Sequence, residues 1–402
     1  MPTSPRKARK LLESGRAKCV KREPFTIKLQ YETTEYRQPL THGLDTGSST
    51  IGSAVADEKG NIVYTSEIEL RNDISEKMEQ RSKYRRNRRS RKTRYRKARW
   101  ENRGNSIRKD RFSPTMRSKI EAHEKEVEFV KSILPVTKLI IETASFDVHA
   151  LKNPEVLRDK RLYQQGVNYG YANTKAYVLA RDGYECRQCG GKSKDKRLEV
   201  HHIIYAGAGG SDDESNLLTL CKTCHDGVHA GAIRLSSSGK RRGQLSHATQ
   251  MNSIRQQLLN ELDCEETFGY ITKEHRQLMG LPKRHCMDAA AVATQGNEAV
   301  FKVSHIIVKR CVADGDYRQT KGGRSEKRIP TGKIDGFRKY DKVRYADGEY
   351  FICGRMSSGY AILMDVHGAK AKLKPIPKLT KMQRISARKS WITHAEIIPN
   401  IV

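Results

Sequence analysis

Gly43-Leu-Asp-Thr-Gly-Ser-Ser-Thr-Ile-Gly-Ser-Ala-Val55 reads as a strand, a turn of small residues and a second strand. Its apolar ends favour extended backbone, and the Gly, Ser and Thr between them favour a tight reversal. Asp57-Glu-Lys-Gly-Asn61 is a second reversal, and Ile62 to Leu70 is the return strand. Asp45 therefore falls on the first strand of a hairpin. Further along, Val136 to Glu142 reads as a buried-strand run that ends in a carboxylate. Arg284 to Thr294 reads as a helix that puts His285 and Asp288, three residues apart, on one face.

Each of these acids alone is commonplace, more often a helix cap or a surface charge. The ordered set Asp-x-Gly-Ser, Ile-Ile-Glu and His-x-x-Asp-Ala points to chemistry. Phosphodiester hydrolysis uses hard carboxylate oxygens to hold two Mg²⁺ roughly 4 Å apart, one activating water and one stabilising the leaving oxygen. Asp45, Glu142 and Asp288 are the candidate Mg²⁺ ligands, and His285 completes the candidate catalytic set. An α/β architecture with a ribonuclease-H-like mixed sheet would bring the strands and the helix together.

Between the second and third of these pieces lies a segment with its own chemistry. It contains Cys186-Arg-Gln-Cys189, Leu198-Glu-Val-His-His-Ile-Ile204, Asn216 and Leu220-Cys-Lys-Thr-Cys-His225. Cys186, Cys189, Cys221 and Cys224 supply four thiolates, the closed tetrahedral set of structural Zn²⁺. The gap between the pairs exceeds the usual zinc-ribbon spacing, and it holds the strand and loop that carry the histidines. Thiol redox chemistry is the alternative, but no thioredoxin-like βαβ context supports it. Chemistry then falls to the histidines. Adjacent residues of a strand point to opposite faces, so His201 and His202 cannot share one role. His201 is assigned to a catalytic Mg²⁺, with His225 completing the protein ligation. His202 is assigned as general base, and Asn216 as a hydrogen-bonding support for the loop or the imidazole. His229 is a possible further ligand, and Glu199 a possible partner of a neighbouring base. A zinc finger that merely binds nucleic acid is the blander alternative, which the doubled histidine disfavours.

The chain has 402 residues and a net charge of +31, enough length for several small domains. A charge of that size repels itself, so a polyanionic partner is expected. The basic residues concentrate between Arg81 and Lys97, where eleven Lys or Arg and no acid occur, including Arg81, Arg85, Arg86, Arg88, Arg89, Arg91, Arg94 and Arg96. Like charges at i,i+4 would melt such a helix in water. Nucleic-acid phosphates turn that repulsion into attraction, so a helix wedged against nucleic acid is expected rather than a disordered basic tail. No stretch approaches the roughly 20 apolar residues of a bilayer span, and the N-terminal residues lack a signal peptide's apolar core. A cytoplasmic, nucleoid-associated location with reduced thiols is expected. Gly315 to Gly332 reads as a Gly-rich linker. Ile334 to Ile376, with short strands between glycine turns, reads as a small barrel.

These residues together resemble the IscB family of transposon-associated RNA-guided DNA endonucleases, related to the CRISPR type II effectors. The resemblance covers essentially the whole chain. It implies an N-terminal PLMP-like region over 1–40, on Met1-Pro-Thr-Ser-Pro5, and a RuvC nuclease split over 41–71, 106–165 and 248–312. It implies an arginine-rich bridge helix over 72–105 and an inserted ββα-metal HNH nuclease with its zinc over 166–247. Residues 313–402 would form a C-terminal domain that contacts RNA and reads a short motif beside the target, with Tyr340, Arg344, Tyr350, Arg355 and Tyr360 in the right region. A structured guide RNA (ωRNA), one protein per RNA, would direct cleavage of double-stranded DNA. The HNH site would cut the guide-paired strand and the RuvC site the displaced one. Thr46, Ser49 and Arg284 depart from the family pattern, and Arg284 beside the RuvC metals is expected to alter rate or metal affinity. An unguided HNH/RuvC homing or junction-cutting nuclease is the alternative. A non-catalytic RNA-binding regulator is a third reading, which the intact Asp45, Glu142, His202 and Asp288 oppose.

Overall fold

The computed structural model describes residues 3–22, 24–33, 38–89, 112–236, 238–239, 245–313 and 333–397. These form two compact units, one of residues 1–144 and 253–402 and one of residues 145–252.

The larger unit is built on the quoted stretch. β3 (Leu40–Asp45), β4 (Thr50–Asp57) and β5 (Asn61–Glu69) form an antiparallel meander. β6 (Lys138–Thr143) lies parallel to β3, and β9 (Glu265–Phe268) lies parallel to β6. On the other side β11 (His305–Cys311) runs parallel to β5, and β16 (Trp391–Ile397) closes the order β16-β11-β5-β4-β3-β6-β9. A short β10 (Val300–Phe301) also pairs with β5. This is the expected mixed sheet. Its central strand β4 is buried from Ile51 to Ala56 because helices cover both faces.

On one face lies α9 (His285–Thr294), whose alanines 289, 290, 291 and 293 are buried. Small residues meet small residues here: a Cβ at Gly43 would overlap the backbone of Ala289 and Ala293. On the other face lies α3 (Pro114–Lys131), capped by the Ser113 hydroxyl and packed through Val130 and Phe129 against Leu40, Val55 and Tyr64. An ion pair is sealed beneath it. Lys309 Nζ lies 2.5 Å from Glu126 Oε2, both side chains almost fully buried, and donates to Tyr64 Oη at 2.8 Å. Tyr64 and Ser66 hydroxyls donate to Glu126 Oε1, so the buried carboxylate is saturated.

Three other parts complete this unit. α1 (Pro5–Glu13), capped by Ser4, precedes a hairpin of β1 (Ala17–Arg22) and β2 (Phe25–Leu29). The basic segment is helical over α2 (Ile74–Arg89), starting seven residues before Arg81. Arg81, Arg85 and Arg86 lie on it, the outer two exposed, and Arg88 and Arg89 continue it. Arg91, Arg94 and Arg96, like the linker at 315–332, lie outside the described residues. The expected small barrel is not closed. Among the described residues β12 (Lys342–Tyr345), β13 (Gly348–Arg355), β14 (Ala361–Met364) and β15 (Gln383–Ser386) make an open sheet of order β14-β13-β12-β15. It buries one face on Val343, Ile352, Leu363 and Leu379. Tyr345 and Tyr350 pack against that core, and Tyr340 against the neighbouring one.

The smaller unit contains α4 (Val148–Lys152), α5 (Thr174–Arg181), the hairpin β7 (Leu198–His202) and β8 (Leu217–Cys221), and α6 (Lys222–His229). α7 (Ser246–Glu261) and α8 (Gly269–Leu278) lead back to the main sheet and α9. No helix among the described residues is long and apolar enough to cross a membrane.

Candidate active sites

Register assembles the outer site. Glu142 on β6 pairs with Asp45 on β3, Asp45 with Gly52 on β4, and Gly52 with Glu67 on β5. Directly opposed residues share a face, so three carboxylates stand in one row with a gap at Gly52. The first turn of α9 sits in that gap, where a Cβ would overlap the His285 carbonyl. His285 Nδ1 thereby lies 2.6 Å from Asp45 Oδ2. One turn on, Asp288 Oδ1 lies 2.6 Å from Nε of the buried Arg276 on α8.

The electrostatics are those of crowded acids. Burial, then the Asp45 charge, raises the Glu142 carboxyl from 4.5 to about 7. Burial raises Asp45 against the pull of His285, and raises Asp288 against the pull of Arg276. The hydrogen bond to Asp45 raises His285. Glu142 Oε2 is buried with no hydrogen-bond partner. An orphaned carboxylate oxygen amid like charges fits a divalent cation, and Asp45, Glu142 and Asp288 are the oxygen donors that would hold one.

Sequence reasoning missed the supports of this site. The Thr46 hydroxyl donates to the Glu142 carbonyl at 2.7 Å, tying the ends of β3 and β6 together. Buried His123 on α3 accepts from the Gly47 N–H at 3.4 Å and so steadies the turn after Asp45. Arg276 and Glu67 carry no local signal; only helix packing brings Arg276 to Asp288, and strand register brings Glu67 near Asp45.

In the smaller unit the four cysteines converge, their Sγ atoms all within 4.8 Å of one another. Cys189 and Cys221 sulfurs are 3.9 Å apart, against about 3.8 Å for the edge of a tetrahedron with Zn–S near 2.3 Å. Cys221 also caps α6, its sulfur accepting from the Cys224 N–H at 3.5 Å. The set fits structural zinc.

His201 and His202 diverge as their strand requires. His201 is buried and its ring meets those of His225 and His229, with centroids 5.0 and 5.1 Å away. The ligand nitrogens of all three lie within 4.8 Å, so His229 joins the two expected ligands. His201 Nε2 is buried without a hydrogen-bond partner, and burial, then the neighbouring imidazoles, lowers the ring to about 4. It is neutral at pH 7, as a ligand must be. Three imidazoles suit zinc-like and first-row transition ions, whereas the expected Mg²⁺ prefers oxygen. Glu199 Oε2 lies 3.2 Å from His225 Nδ1, an ion-pair distance without hydrogen-bond geometry, and pairs also with Arg197. His202 faces the other way, its Nε2 2.9 Å from Asp212 Oδ1. Asp212 was not anticipated, although an acid in the loop between His202 and Asn216 is a readable signal. Buried Asn216 spends its amide on backbone: Nδ2 donates to the Ile204 and Ser211 carbonyls, and Oδ1 accepts from Ile204 N–H. It holds the loop rather than an imidazole.

Comparison with known proteins fits this geometry. A family model described as RRXRR protein matches residues 1–166, and one described as HNH endonuclease matches residues 186–231. The first spans Asp45, the basic helix and Glu142, and the second spans the cysteines and all four histidines. The two matches together support an IscB-like RuvC/HNH nuclease. Among curated relatives, this IscB-like chain is 32% identical over 100 residues to the type IV methyl-directed restriction enzyme EcoKMcrA of Escherichia coli K12, covering 23% of this chain and 34% of that enzyme. It is 30% identical over 67 residues to anaredoxin of Nostoc sp., covering 17% of this chain and 86% of that protein. Among solved structures, Streptococcus thermophilus Cas9 in complex with the AGAA PAM aligns at 12% identity with a TM-score of 0.30, over 60% of this chain and 32% of that one. The chain thus spans about a third of the restriction enzyme and of the Cas9 chain.

Proposed function

We propose that this IscB-like nuclease is an RNA-guided DNA endonuclease with two independent hydrolytic centres. The carrying observation is that its donors gather in two separate clusters of different chemistry. Asp45, Glu142, His285 and Asp288 meet in the larger unit, and His201, His225 and His229 meet beside His202 in the smaller one. A single strand needs one such cluster; a duplex with its strands parted can use both.

In the smaller unit His202 takes the proton from the attacking water. Asp212 holds one ring nitrogen, which fixes the tautomer and leaves the other nitrogen to accept. In the larger unit the row of acids orients water and the scissile phosphate, and His285 is held ready by Asp45. Divalent cations bound at these clusters would lower the pKa of water and neutralise charge on the leaving oxygen. The basic stretch from Arg81 onward and the net charge of +31 supply phosphate contacts for guide and target. Phe268 and Tyr270, both exposed, flank Gly269 next to Glu142 with their rings parallel at 6.2 Å, and such faces stack with unpaired bases. A dense run of arginines makes phosphate contacts that carry no sequence information of their own, which favours guidance by pairing over an unguided nuclease.

The test is to purify the protein from its native locus, sequence the RNA that accompanies it, and challenge that complex with a supercoiled plasmid bearing the complementary sequence. A double-strand break is expected, with Asp45→Ala leaving the displaced strand whole and the guide-paired strand cut. A protein free of RNA that cuts the plasmid regardless of sequence would overturn the guided reading.

A further inference from the structure

α9 carries two members of the outer site, yet it starts without a cap of its own. Its N-cap residue is Arg284, and no side chain of the flanking residues accepts from the first turn. The missing acceptor comes from 219 residues away: Glu67 Oε1 accepts from the Cys286 N–H at 3.2 Å. The same carboxylate takes a fork from Arg284, Nε to Oε1 at 3.3 Å and Nη2 to Oε2 at 2.7 Å. Burial would raise Glu67, but these bonds hold it below the usual carboxylate range. Glu67 and Asp45 stand on either side of Gly52, so the start of α9 is gripped on both flanks, by Glu67 on one and by the Asp45–His285 hydrogen bond on the other.

We propose that Glu67 and Arg284 form a positioning clamp that sets where His285 and Asp288 stand, and so tunes divalent-cation affinity at the outer site. Arg284 stands at the N-cap without a side chain that can accept from the first turn, and Glu67 is the partner that supplies the acceptor. Without Arg284, Glu67 becomes an unpaired carboxylate two strands from Asp45; without Glu67, Arg284 is a cation freed beside the acids. Either change moves charge and the helix start together. The proposal rests on the outer acids binding a divalent cation, and its readouts separate it from the question of cleavage.

The experiment uses the full chain, with His225→Ala in the background to silence the inner histidines. Mn²⁺ binding is titrated calorimetrically for the parent, Glu67→Gln, Arg284→Gln and the double variant. Each single is expected to weaken Mn²⁺ binding about tenfold, with the double no worse than the weaker single, since the two act as a unit. Amide exchange over residues 284–288 should rise in Glu67→Gln while that of β3 and β4 stays unchanged, which excludes general unfolding. Wild-type Mn²⁺ affinity in either single, or losses that multiply in the double, would overturn the clamp. In the chain without the background change, both singles should slow the displaced-strand cut and spare the other. If the parent makes no displaced-strand cut but its Mn²⁺ affinity follows the clamp, the cleavage assignment falls and the clamp stands.

Discussion

His201 and His202 are neighbours in the chain, and the strand sends one inward to a cluster of imidazoles and the other to Asp212. That divergence was legible, because period-2 geometry forbids adjacent residues a common role. Asp212 was not assigned, because a loop acid becomes meaningful only when the loop folds back. Replacing His202 by Ala should abolish the inner nick, a loss of roughly 10²–10⁴-fold for a general base, while Asp212→Asn should slow it about tenfold through a misoriented ring. Strand-resolved sequencing gels read both, and an Asp212→Asn enzyme with an unchanged inner rate would detach the carboxylate from the mechanism. Glu142 makes a different prediction. Its folded value of about 7 stands above the 4.5 of an exposed glutamate, so the native state binds the extra proton between those values. The contribution of Glu142 to the stability of the metal-free protein is full below about pH 4.5 and is lost as pH rises through about 7. Glu142→Gln should flatten that slope in thermal melts, and a slope that survives the substitution would place the proton elsewhere.

At the scale of elements, the sheet hairpin, β6 and α9 could be read because each pairs an apolar run with a terminal acid. The barrel could not. Short strands between glycine turns look alike whether the last strand returns to the first or, as here, the sheet stays open. Nor could the row Glu142–Asp45–Gly52–Glu67, since strand register couples residues that no local pattern links. Gly52 is the element-level test of that row. Its hydrogen is all that separates β4 from the His285 backbone, and both neighbours are main chain that cannot rotate away. Gly52→Ala should destabilise the larger unit by about 1–3 kcal/mol and depress the outer cut, whereas Gly166→Ala, with open space around its Cα, should do neither. Matching melting curves for the two variants would mean that α9 does not seat on β4 as described.

At the scale of the molecule, the sequence order of outer piece, inner segment, outer piece becomes two compact units, each with its own core. The inner core is small, and its buried apolar residues Leu218 and Leu220 cluster with Cys186, Cys221 and Cys224. Such a core contributes little by burial alone, so its folding depends on the metal that four thiolates would share. No such dependence is expected of the larger unit, which packs apolar clusters against the sheet and pairs its buried charges with one another. Loss of zinc should therefore act on one unit and spare the other. In a Cys189→Ser/Cys224→Ser variant, zinc measured by elemental analysis should fall by one ion per chain. Amide protection should collapse over β7, β8 and α6 and persist over β3 to β6, with the inner nick gone. Protection of β7 and β8 that outlasts the zinc would show that Leu218 and Leu220 hold the hairpin unaided, and that the cysteine cluster is not its staple.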